Sequence, residues 1–191
     1  MKHFLIPIVL IAGLIFAGLT PANPGFNENT AVSEVLVFLG DKKPEHYPQD
    51  FSEANIQRGK EIVHYGKSTS PAGKKASYIS KFYVCTSCHN TVREDPDLTR
   101  IDQEARLAYA EKNGLPYLQA STFWGITNRQ SWYNDDYVKK YGDLVRKATN
   151  SLEESTQLCA TVCSQGRALK PWEMDAVKAY YWSLQMKLGD L

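Results

Sequence analysis

The chain opens on an apolar run, Phe4 to Leu19, interrupted only by Pro7 and preceded by the short polar start Lys2-His3. The run is longer than a usual secretory core and shorter than a spanning helix. Small residues follow at Thr20, Pro21 and Ala22. Residues 1–22 are therefore expected to be a signal peptide cut after Ala22, or an uncleaved anchor that tethers the protein to a membrane. Residues 23–50, with Pro24, Pro44 and Pro48, read as a linker or arm whose one apolar patch is Val35–Leu39. Helical spacing starts at Ser52, with Ala54, Ile56, Ile62 and Val63, and ends near Gly66. Residues 67–80 read as an exposed loop. A helix over 101–113 would place Ile101, Ala105 and Ala108 on one face, stopped by Asn113-Gly114 and Pro116. After an irregular stretch, the spacing returns at Tyr137, Val138, Tyr141, Leu144, Val145 and Ala148. Ser151 with Glu154 forms a capping box for a helix running to about Cys163. The last helix starts at Pro171, with Glu173 and Asp175 in its positive first turn. Val177, Tyr180, Tyr181, Leu184 and Leu188 then recur along it, and Gly189 suits its stop. No period-2 alternation is present, so the expectation is an all-α domain over 51–191.

Composition adjusts this picture in three places. At 191 residues one domain is expected, and 43% apolar residues are enough for a core. A net charge of +1 offers no basic face for nucleic acid. Aromatic residues reach 12%, more than a small helical core needs, so a use for flat rings is sought.

The four cysteines supply it. Cys85-Thr86-Ser87-Cys88-His89 has the C-x-x-C-H spacing of c-type haem attachment. Each thiol can form a thioether with one haem vinyl group, and the adjacent imidazole then meets the iron. An exported chain suits that chemistry. The rival readings fit less well. A thioredoxin-like dithiol needs a βαβ setting, and a zinc site pairing 85 and 88 with 159 and 163 would span far more chain than a zinc ribbon does.

With Arg58-Gly59-Lys60 on the first domain helix and Ala179-Tyr180 on the last, the chain from about residue 51 to 191 resembles the class I c-type cytochromes. The resemblance implies a helical cytochrome c-like fold around one haem c, bound by Cys85 and Cys88 with His89 as proximal ligand. It also implies a distal ligand just before the last helix. That region, 159–167, holds Cys159 and Cys163 and no methionine. Cys163 and Met174 are the foremost distal candidates, with His64 and Met186 behind them and an open site as a further option. Cys159 and Cys163 could instead form a disulfide. His46, in the arm, is expected to face solvent.

Trp124, Trp132, Tyr133, Trp172 and Tyr180 are candidates for a porphyrin wall. Arg129 and Arg167 are candidate donors to the propionates. The expected function is single-electron transfer between redox protein partners in the periplasm, with Lys74, Lys75 and Lys81 available for local steering. The alternative is a haem enzyme with Cys-ligated iron acting on sulfur compounds such as thiosulfate, or a haem subunit of a membrane oxidoreductase. No acid/base constellation is visible, which favours an electron carrier over an enzyme.

Overall fold

The computed structural model describes residues 25–94, 103–115, 120–129, 131–132, 138–139 and 141–191. The predicted leader, residues 1–22, lies outside them, as do Ile101, Pro116, Tyr133 and Tyr137. Among the described residues the protein is all-helical, with only isolated bridges at Ala31–Lys187 and Thr69–Lys75. None of these helices is long and apolar enough to cross a membrane.

The helices are α1 (Val32–Phe38), α2 (Glu53–Tyr65), α3 (Gln103–Lys112), α4 (Asp143–Arg146), α5 (Leu152–Leu158) and α6 (Pro171–Ser183). Single 3-10 turns cover Cys85–Ser87, Ile126–Asn128 and Leu188–Asp190. A π-helical turn, Cys159–Cys163, extends α5.

The core is built where α2 packs on α6. Ser52 caps α2 by accepting from the Asn55 amide at 3.3 Å, and Gly66 ends it in the left-handed region at φ 71°. Ile62 and Val63 of α2 are sealed against Ala176, Val177 and Tyr180 of α6. Gly59 makes the approach close enough. A Cβ there would sit 1.9 Å from the Ala176 carbonyl oxygen. Phe123 and Ile126 from a connecting segment and Leu152 from the start of α5 close the same core.

Three expectations change. The helix expected over 137–148 is broken at Gly142, whose φ of 58° no continuing helix can use; Val138, Lys139 and Tyr141 are helical before it, and α4 follows as one short turn. The face of α3 turns as well: Ala110 is buried, Ala105 is half-buried and Ala108 is exposed. The last helix stops at Leu184 rather than Gly189. Gly189 has another use, since a Cβ there would meet the Glu28 backbone oxygen at 3.1 Å.

That contact belongs to the arm, which packs on the domain. The Val32 amide donates to the Met186 carbonyl, and the Leu188 and Gly189 amides donate to the carbonyls of Thr30 and Glu28. Further along, Asp175 on α6 accepts from the Gln49 and Asp50 amides and from Asn55 Nδ2 of α2, at 2.6, 3.1 and 3.0 Å. His46 is half-buried rather than solvent-facing. Its ring stacks on Trp182 at 5.6 Å, its Nε2 donates to the Thr127 carbonyl, and its own carbonyl accepts from Trp182 Nε1. The spacing of Pro and polar residues hid this, because the arm is held by backbone donors and one ring stack rather than by an apolar stripe.

Candidate functional site

The C-x-x-C-H segment forms a 3-10 turn. The Cys88 and His89 amides both donate to the Cys85 carbonyl, at 3.2 and 3.1 Å. Ser87 tightens the entry, its hydroxyl accepting from the Val84 amide. Both thiols are thereby presented from a single turn, on residues that keep partial exposure. Burial pushes the Cys85 thiol up to about 11 and raises that of Cys88, so both stay protonated at neutral pH.

A loop 32 residues downstream fixes the histidine. His89 Nδ1 lies 2.7 Å from the Ser121 carbonyl oxygen. A carbonyl only accepts, so Nδ1 carries a proton and donates it to Ser121. The ring stacks on Phe123, with centroids 4.2 Å apart and planes 15° apart, and Phe123 in turn packs on Tyr181 of α6. The loop runs alongside the motif. Ala120 N donates to the Cys88 carbonyl, Phe123 N to that of Asn90, and Thr122 Oγ1 to that of Val92. Arg129 braces the loop through Ser121 Oγ at 2.7 Å and the Thr122 carbonyl at 3.1 Å.

Beside the turn opens a cleft of about 440 Å³ walled by Tyr78, Phe82, Tyr83 and Val84, with Lys81 on its edge. All three aromatic rings are exposed. Next to His89, the buried Asn90 Nδ2 has no acceptor among the described residues.

The second cysteine pair is brought to the first. Ser80 Oγ donates to the Ser164 carbonyl at 2.6 Å and accepts from the Phe82 amide. The Arg167 amide donates to the Ile79 carbonyl. Gly166 lets these backbones meet, since a Cβ there would stand 2.4 Å from the Ile79 oxygen. The result is a four-thiol neighbourhood. Cys163 beside it and burial hold the Cys159 thiol up, with smaller contributions from Cys85 and Cys88, and burial with a smaller contribution from Cys163 raises that of Cys88. Among the described residues, no three His, Cys, Asp or Glu side chains are placed to hold a metal ion.

The other sequence candidates disperse. Met174 is buried in the first turn of α6 and packs in the core. Arg167 makes a two-pronged ion pair with Glu173, both contacts at 2.7 Å. Trp124 lies under the Arg93 guanidinium, and Trp132 donates its Nε1 to the Ile126 carbonyl. His64 Nε2 pairs with the Tyr180 hydroxyl at 3.0 Å. The residues that sequence reading missed are Ser121, Phe123 and Asn90. The polar loop that carries Ser121 has no periodicity to betray it.

Comparison of the chain with protein-family models, curated proteins and solved structures finds no match.

Proposed function

We propose that this protein is an exported c-type cytochrome that carries single electrons between redox proteins. The observation that carries the reading is the His89 Nδ1–H bond to the Ser121 carbonyl, made one residue after a C-x-x-C turn. Metal-bound histidines characteristically donate their second ring N–H in this way, which orients the ring and raises its basicity. Cys85 and Cys88 would hold one haem c covalently, and His89 Nε2 would be the proximal ligand. The fit is supported by the paired thiols, the apolar cleft beside them and the unsatisfied Asn90 donor. When bound, haem supplies a one-electron iron couple.

The chain's own part is positional. Ser121 sets the imidazole tautomer, Phe123 and Tyr181 set its plane, and Arg129 holds Ser121 in place. Protonated thiols at Cys85 and Cys88 suit addition across two vinyl groups. Lys81 and the exposed rings at the cleft offer a docking edge for a protein partner.

Expression with a haem-attachment system tests the reading. The peptide Phe82–Arg93 should carry the mass of one haem, and C85A/C88A should carry none. His89→Ala should keep the covalent haem and lose the low-spin spectrum. The absence of covalent haem from the wild-type chain would overturn the reading. The ferric spectrum of that protein also separates the distal candidates. A weak far-red sulfur-to-iron band would indicate a methionine, Met174 or Met186, and a thiolate pattern Cys163.

A further inference from the structure

Cys159 and Cys163 are not consumed by haem attachment, yet the fold goes to some length to present them. The α5 helix stops being α-helical at Cys159. The Ser164 amide reaches back five residues to the Cys159 carbonyl at 2.8 Å, and Gly166 reaches back six to Ala160. The wide turn closes the C-terminal end of α5, where π turns occur. The exit is costly: Gln165 sits in the left-handed region at φ 51°, and Gly166 is pressed on the Ile79 backbone. These constraints place two cysteines four positions apart on one turn, with Cys163 exposed and Cys159 half-buried. On a helix such residues stand about 5–6 Å apart at Cβ. That is close enough for a small adjustment to join their sulfurs.

We propose that Cys159–Cys163 is a thiol–disulfide exchange site for a disulfide-bearing compound or protein, with Cys163 the attacking sulfur and Cys159 the resolving one. The asymmetry of exposure assigns the roles. The attacking thiol must be reachable by a partner, while the resolving thiol needs only to reach its neighbour. The Cys163 thiolate attacks one sulfur of the partner disulfide. The S–S bond breaks, one thiolate leaves and takes up the proton that Cys163 lost, and a mixed disulfide remains. Cys159, deprotonated in turn, attacks the Cys163 sulfur. The second partner thiol leaves with the Cys159 proton, and Cys159–Cys163 is oxidised as the partner is reduced to two thiols.

Peptide mapping of the full-length wild-type protein after equilibration with oxidised glutathione tests this separately from the haem reading. Trypsin places Cys159 and Cys163 together in Ala148–Arg167, and Cys85 and Cys88 in Phe82–Arg93. The expected result is an Ala148–Arg167 peptide lighter by two hydrogens, restored by dithiothreitol, whatever Phe82–Arg93 carries. Cys159→Ser should trap glutathione on Cys163, while Cys163→Ser should take up glutathione on Cys159 at least about tenfold more slowly. Two freely alkylated thiols after oxidation, a disulfide joining the two peptides, or a ferric thiolate spectrum lost in Cys163→Ser would each overturn the proposal.

Discussion

At the scale of single residues, the fold relies on polar groups taken fully out of water and then satisfied. Glu173 has no exposed surface, yet both its oxygens are met by Arg167, and one also accepts from the Lys170 amide at 2.8 Å. Arg167 in addition donates to the Ser77 carbonyl, so it joins α6 to the chain leading into the cysteine turn. Arg167→Ala would strand a buried carboxylate. A loss of about 3–5 kcal/mol in unfolding free energy is expected, read by urea denaturation; Arg167→Lys should recover only part of it, because one ammonium cannot replace the fork. His46 gives a pH dependence. Burial, reinforced by Lys178, lowers its pKa below 6.5 against the opposing pull of the Thr127 carbonyl, Glu153 and Glu45. The folded state thus prefers the neutral ring. Its contribution is complete above the unfolded value of about 6.5 and is lost as pH falls through the folded value. The melting temperature should drop between pH 7 and pH 5, and His46→Gln should flatten that slope. His64, also lowered by burial and by Lys60, acts in the same direction and accounts for part of what persists.

At the scale of elements, the best-read pieces are those whose signals are local. The Ser52 start and Gly66 stop of α2, the Ser151–Glu154 start of α5 and the Pro171 start of α6 all lie in the sequence as caps, and the structure places those ends there within a residue. The π turn after α5 was not legible, because its cause is distant. Ile79 and Ser80 pull on residues 164–167, and no spacing within 152–163 records that pull. The candidate site divides in the same way. Cys85, Cys88 and His89 stand out by motif, whereas Ser121 and Arg129 acquire roles only through a loop contact across the chain. Gly59 illustrates how one position controls a whole interface. Gly59→Ala must displace either α2 or the Ala176 backbone, and a loss of at least about 3 kcal/mol is expected in thermal or urea unfolding. Gly73, at a turn with open space around it, serves as the control: substitution there strains one φ angle but disturbs no packing. Ser151→Ala should cost about 1 kcal/mol through the lost cap at Glu154.

At the scale of the whole molecule, the arm is the main revision. Residues 25–50 read as a linker and turn out to share hydrogen bonds with α2, α6 and the 185–189 segment. Their anchors are a carboxylate collecting backbone amides and an imidazole between two indoles, as Trp132 meets the His46 ring edge-on at 5.4 Å. Neither feature has a sequence period. Asp175→Asn should loosen the arm without unfolding α2 or α6, since an amide accepts on one oxygen only. Proteolysis within 40–50 should quicken severalfold while the main unfolding transition shifts little. An arm that remained protected in that variant would place its anchorage elsewhere, at His46 and Tyr47 against Trp182.

The pairing of residues 28–33 with 185–189 has a consequence in time. The Ser33 hydroxyl meets Gln185 across 152 positions of the chain, and α1 itself buries no residue. A closure that long carries an entropic penalty growing with the logarithm of its length, and little apolar surface rewards it. It should therefore form after α2 and α6 have met and open before they part. Amide hydrogen exchange would register this as an order of events. The amides of Val32, Leu188 and Gly189 should exchange through a local opening, well ahead of those of Ile62 and Val63, which wait for global unfolding.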